Sequence, residues 1–425
     1  MNSNFLLKIK HRSQPEWLIW WIIIFPFLYG TMFNLLHLPA VFKYTTDIAW
    51  IFLTILSIIN INYGRVAIAK KHIIMIIFPL LFLLFTFCCY IFNYQSVFYF
   101  LWGFRNNFRF YFFFISCILF FKKEDIDTFL NLIDKVLWFN FIVVLIQYFF
   151  LGKRNDFLGG IFGTEKGCNA YLFIFLIIIT VKSVLYFLNE KESIISLILK
   201  CGSALLVSTL AELKFFIIVI LVIVVLAVLI TDFSWRKFSL VLCSLIGVVL
   251  SVNLIVIIYP YFARLLSIES LIESVTVGGY SSEEQVNRLT TIPIISKRFL
   301  ETLPQKLFGL GLGNCDTAAY DFLNTPFYQD FSYIRYNWFS TSFLYLETGF
   351  IGLILFFAFF ILVTFFSLRK VKAENKLYYH FSAIMSVCCI LIAIYNVSLR
   401  MEIGFLAYFT LTFPFILENK SSKLI

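Results

Sequence analysis

What most constrains this chain is the recurrence, from Trp17 to Leu417, of apolar runs about as long as a lipid bilayer is thick. A helix of about 17 to 25 apolar residues crosses a hydrocarbon core of roughly 30 Å. Twelve such runs can be read, at 17–36, 46–61, 72–92, 108–121, 132–151, 170–188, 193–210, 215–230, 238–259, 337–368, 378–396 and 403–417. Hydrophobic residues make up 61% of the 425 positions and charged ones 14%, which excludes an ordinary soluble domain. Lipid offers no partner to a peptide group, so a chain of this kind must satisfy its backbone internally. The expected fold is an all-α polytopic membrane protein of about twelve transmembrane helices. Nine lie in 1–260 and three in 337–425 of the same bundle, with one large extracytoplasmic loop, 261–336, between the ninth and tenth.

Orientation follows from where the cations fall, because cationic loops stay cytoplasmic. Alternate segments carry Lys8, Lys10 and Arg12; Arg65, Lys70 and Lys71; Lys122, Lys123 and Lys135; Lys182, Lys191 and Lys200; Arg236 and Lys237; Arg369, Lys370, Lys372 and Lys376; and Lys420 and Lys423. That is most of the 34 lysines and arginines, and it puts both termini in the cytoplasm. The first run has no small-residue cleavage site, so it reads as a retained anchor. Seven of the nine cysteines lie in apolar runs, where a thiol behaves as a small hydrophobe; no disulfide is expected, and no Cys/His spacing suggests a metal.

Cations on the other side stand out against that bias: Lys43, Arg105, Arg109, Lys153, Arg154, Lys166, Lys214, Arg400 and, in the loop, Arg264, Arg288, Lys297, Arg298, Lys306 and Arg335. Acids are interleaved with the loop cations, so any anion site there is local and no nucleic-acid partner is expected. Ser281 to Glu284 has the spacing of a capping box. It predicts an amphipathic helix that runs to about Leu303, bends at Pro293 and is stopped by Pro304. Such a helix would hold Arg288 over the membrane entrance; its plainer reading is a loop helix with solvated charges. Gly309, Gly311 and Gly313 have no βαβ unit around them, which excludes a dinucleotide turn. They permit close approach to a ligand or to a neighbouring helix.

The order of these features resembles the O-antigen polymerase and ligase superfamily. Arg288 is followed by Leu307-Phe-Gly-Leu-Gly-Leu-Gly-Asn314 and then by Ser342-Phe-Leu-Tyr-Leu-Glu-Thr-Gly-Phe-Ile-Gly352, which opens a membrane helix. Gly159-Gly-Ile-Phe-Gly-Thr-Glu-Lys-Gly-Cys-Asn169 resembles the family's G-x-F-x-x-x-N segment. Ser208-Thr-Leu-Ala-Glu-Leu-Lys214 resembles its T-x-S-R turn, with Lys214 where arginine is common. The ligase pattern has a His-Asn pair where this chain has Trp338-Phe-Ser-Thr341, and no histidine occurs in 261–336, which favours a polymerase.

The resemblance implies an undecaprenyl-diphosphate-dependent glycosyltransferase of the bacterial inner membrane. It joins lipid-linked oligosaccharide repeat units for O-antigen or a related surface polysaccharide. It would work among membrane lipid, with a chain-length regulator as an allowed protein partner and no cofactor. The leaving diphosphate gains charge in the transition state, and cations aimed at it are the natural catalytic device. Arg288 and Lys214 are the first choices for that role. Arg105, Arg109 and Arg264 support them, and Asn169, Gly311 and Gly313 are further substrate-binding candidates. The acceptor hydroxyl needs a carboxylate to take its proton. Glu347 is the first candidate, with Glu212, Glu301 and Asp316 behind it, although a carboxylate at a helix start is often a cap or an ion-pair partner. Arg105 and Arg109 share a helix face but also suit depth anchors, Lys214 suits an ion pair with Glu212, and Arg400 near Glu402 reads as structural. The scheme requires no metal. A ligase is the nearest alternative, and a flippase would need an internal repeat and midplane charges.

Overall fold

A computed structural model describes residues 12–260, 285–318, 324–369 and 373–419. Arg264 and the Ser281 to Glu284 capping box lie outside these residues. Every apolar run falls on helix, and no strand occurs among the described residues. In chain order the helices are α1 Gln14–Gly30, α2 Thr45–Asn62, α3 Ile74–Phe92, α4 Val97–Phe120, α5 Lys123–Phe149, α6 Asn169–Leu188, α7 Ile194–Leu210, α8 Phe215–Ile230 and α9 Trp235–Ile258. The polar segment contributes the short α10 Thr291–Arg298, α11 Leu303–Phe308 and α12 Pro326–Phe331. Then come α13 Ser340–Ser367, α14 Lys376–Tyr395, α15 Gly404–Leu411 and α16 Phe413–Asn419. Among the described residues eight helices are long and apolar enough to cross a membrane, so the protein is a polytopic membrane protein.

Hydropathy alone misplaces two boundaries. Helix α4 begins at Val97 and α5 at Lys123, well ahead of the runs at 108 and 132. The added turns of α4 carry Arg105, whose charge meets protein partners, so the helix continues where lipid-type hydropathy stops.

Burial sorts the helices into layers. In its most apolar window α6 is 89% buried and α14 72%, which makes them the centre of the bundle, whereas α9 at 11% lies at the periphery, with only three residues buried. Interlocked rings fill the interior: Tyr408 lies 5.2 Å from Phe110 and 5.6 Å from Tyr111, and Phe114 packs edge-on to Phe415. Some hydroxyls inside the bundle are satisfied by their own helix, as Thr180 is by the Leu176 carbonyl at 2.8 Å.

Polar contacts gather at the two ends. At one end Arg12 pairs with Asp125, Lys376 with Asp232 and His72 with Glu418, while Arg236 donates to the Phe187 carbonyl. Every cation-rich segment read from the sequence that appears in these contacts belongs to this end. At the opposite end Arg105 meets Asp47, Tyr171 meets Glu402, Arg288 meets the Tyr395 carbonyl, and the described part of 261–336 packs over α13.

Candidate functional site

The second end is organised by a break in α13. Gly349 has φ 61° and ψ −163°, a conformation that L-residues with a side chain avoid, so the helix is interrupted one turn past Leu346. The glycine-rich turn fills the interruption. Leu310 N–H donates to the Leu346 carbonyl at 2.8 Å and Gly311 N–H to the Glu347 carbonyl at 3.0 Å. The fit is backbone on backbone, since a β-carbon at Gly309 would stand 2.4 Å from the Glu347 carbonyl carbon and one at Gly349 2.4 Å from Leu307. On its other side the turn presses on the start of α4, where Gln95, just ahead of the helix, donates to the Leu312 carbonyl and Gly313 abuts the Tyr99 carbonyl. Gly311 and Gly313 therefore serve close approach to neighbouring protein, and both are buried.

Glu347 lies beneath this turn with 1% of its surface exposed. Its Oε1 accepts from the Cys315 N–H at 3.3 Å, and its Oε2 has no hydrogen-bond partner among the described residues. Asp316 and Arg400 are the charged groups that act on it.

Beside it runs a chain of buried charges. Asp47, at the start of α2, receives Arg105 through Nε and Nη2 at 3.1 and 2.7 Å, Arg109 at 3.2 Å and the Trp50 indole at 3.2 Å. Arg105 also donates to the Asn106 side chain at 2.7 Å. Arg109 is 1% exposed and also reaches Glu402 at 3.4 Å and the Arg400 carbonyl at 2.8 Å. Glu402 accepts from the Tyr171 hydroxyl at 2.6 Å. Arg400 holds Asp316 at 2.5 Å, and Asp316 accepts from Asn106 at 2.8 Å. Burial pushes the Glu402 carboxyl up, but Arg109, Arg105 and the Tyr171 hydroxyl outweigh it and leave the group below its ordinary value. Three arginines thus face three carboxylates. Arg105 and Arg109 do share a helix face, as their spacing predicts, yet they are neutralised from within and do not form an open cationic pair.

Arg288 lies elsewhere at the same end. It precedes α10 instead of standing within a long helix: Asn287 Oδ1 accepts from the Leu289 and Thr290 N–H groups, and α10 begins at Thr291. The expected helix through Pro293 is corrected here. Proline lacks an N–H that only the first turn of a helix can spare, so the helix starts just ahead of Pro293. Pro304 likewise opens a helix, α11, under the Thr302 and Gln305 capping box, and does not stop one. Arg288 Nε donates to the Tyr395 carbonyl at 3.0 Å and the guanidinium stands 4.2 Å over the Tyr395 ring. Tyr395 in turn stacks on Phe215 at 4.7 Å, one residue after Lys214. Lys214 pairs with Glu212 at 2.8 Å, in the turn between α7 and α8. Asn169 Nδ2 donates to the Ala211 carbonyl at 3.3 Å and to Asp156 at 3.1 Å, tying the start of α6 to that same turn. The segment 159–162 is clasped by α5, with Gln147 bonded to both N–H and C=O of Gly160.

The structure therefore forms two groups at one end: Arg288, Lys214 and Asn169 on one side, and Arg105, Arg109, Asp316, Arg400 and Glu402 on the other. The sequence reading gives no role to Asp47, Tyr171 or Glu402 and takes Arg400 as structural. A usable signal existed for Asp47, the one acid in the run 46–61, because an ionisable residue inside an apolar span needs a partner. Tyr171 has no such signal among 22 tyrosines. No protein-family model matches the chain, and no curated protein matches it significantly.

Proposed function

We propose that the protein polymerises undecaprenyl-diphosphate-linked oligosaccharide repeat units at the outer face of the bacterial inner membrane. In this reading the chain has twelve spans, its cation-rich end and both termini are cytoplasmic, and 261–336 is the extracytoplasmic loop. The observation that carries it is the gathering of cations and carboxylates at the end opposite the cation-rich segments, around a glycine turn seated in a broken helix. Transfer from a polyprenyl diphosphate needs both kinds of group. The acceptor hydroxyl attacks the anomeric carbon and gives up a proton, while the diphosphate leaves with the bond's electron pair. Arg288 and Lys214 face the chemistry of a diphosphate, and the planar guanidinium can hold two phosphate oxygens together.

One observation favours a second reading. A buried network of Asp47, Arg105, Arg109 and Glu402 in a helical bundle also suits a flippase that moves a charged lipid. Reconstitution of the purified protein with a lipid-linked repeat unit separates the two. A polymerase converts the unit to a ladder of lengths, and a flippase moves it unchanged across the bilayer. A ladder that does not form while the unit crosses would overturn the polymerase reading.

A further inference from the structure

Glu347 is a poor match for a group that must meet a sugar, since almost none of it is exposed and the glycine turn covers it. A second carboxylate at the same end has what Glu347 lacks. Glu402 sits in the connection between α14 and α15 with 12% of its side chain exposed, next to Arg105 at 18%. Its orientation is fixed from two directions. Oε2 accepts from Tyr171 at 2.6 Å, and Oε1 faces Arg109 at 3.4 Å and Arg105 at 3.7 Å. The Tyr171 ring packs 5.0 Å from Tyr29, and Lys43 Nζ stands 5.1 Å above Tyr29 and 5.1 Å above Phe33. Unlike Arg105 and Arg109, Lys43 has no carboxylate partner among the described residues. The buried Tyr171 and Phe33 and the partly exposed Tyr29 therefore join an oriented carboxylate to a partly exposed cation, Lys43.

Resting on the reading of the protein as a polymerase, we propose that Glu402 is the general base for the acceptor hydroxyl and that Lys43 meets the leaving diphosphate. The hydroxyl oxygen forms the new bond to the anomeric carbon as its proton passes to the Glu402 carboxylate. The bond from that carbon to the diphosphate oxygen breaks, and undecaprenyl diphosphate departs with the electron pair beside Lys43. Arg105 and Arg109, both bound to Asp47, act as positioning residues that hold Glu402 ionised and in place. Arg288 and Lys214 are then left for the second lipid diphosphate that chain growth requires.

The test is polymerisation by the reconstituted full-length protein, using a lipid-linked repeat unit extracted from the source cells. Glu402→Gln should lower kcat by about a hundredfold or more with KM changed only a few-fold, as for loss of a positioned base. Glu402→Asp should recover part of the rate. Lys43→Gln disturbs no ion pair among the described residues and loses only the ring contacts to Tyr29 and Phe33, so its thermal unfolding temperature should change little while kcat falls about tenfold to a hundredfold, with Lys43→Arg restoring most of it. A folded Lys43→Gln or Glu402→Gln protein that polymerises at the wild-type rate overturns the assignment. If Glu402→Gln fails to fold, Lys43→Gln alone decides. If the wild-type protein makes no polymer, the functional reading falls first, which is visible because every variant and the parent are alike inactive.

Discussion

At the scale of single residues, charge and its compensation distinguish structure from chemistry. Arg105 and Arg109 looked like an anion site by spacing, and the pairing with Asp47 and Glu402 was not legible, because those partners lie far away in sequence. Arg288 was legible as a cation in the right order of motifs, and its seat on Tyr395 was not. Arg288→Ala is expected to abolish polymer, a loss of roughly a hundredfold or more for a preorganised charge, while membrane abundance stays normal. Immunoblot and polymer gel check both, and wild-type polymer from that variant removes Arg288 from the site. Glu402 also makes stability pH-dependent. Its folded-state value lies below the ordinary 4.5, so its contribution is complete above that pH and is lost as pH falls through the lowered value. Glu402→Gln should therefore be about 1 to 3 kcal/mol less stable than wild type at neutral pH. The gap should close in acid, as thermal unfolding in detergent would show.

At the scale of elements, the helices were legible from hydropathy and their interruptions were not. Pro293 and Pro304 look like breakers in a linear reading, yet each occupies a first helical turn, which is visible only once the helix starts after Thr290 and Thr302 are in place. The L-x-E-x-G pattern acquires a physical reason at Gly349, where positive φ and the Leu307 backbone leave no room for a side chain. Gly349→Ala should cost about 3 kcal/mol or more, from both backbone strain and the clash, and should sharply reduce folded protein in size-exclusion profiles. Gly152 has a similar φ of 62° but open space around it, so Gly152→Ala should cost only about 1 kcal/mol. Equal losses would mean that the α13 break is not held by the glycine turn.

At the scale of the molecule, the polytopic helical class was legible in the apolar runs, because lipid leaves the backbone only internal partners. The layering was not, since α6 and α9 are comparably apolar and only packing makes one central and the other peripheral. In a cysteine-free background, single cysteines at Lys166 and Arg298 should react with an impermeant thiol reagent in intact spheroplasts. Cysteines at Glu190 and Asp232 should react only after permeabilisation, and the reverse pattern would invert the topology. The proposed activity is the joining of lipid-linked sugars at the end of the bundle that carries Arg288. The most direct measurement is a gel of the products formed when purified protein in proteoliposomes meets an undecaprenyl-diphosphate-linked repeat unit. A polymerase yields a ladder of increasing length that disappears in Arg288→Ala, and recovery of the repeat unit unextended from folded, membrane-inserted protein contradicts that activity.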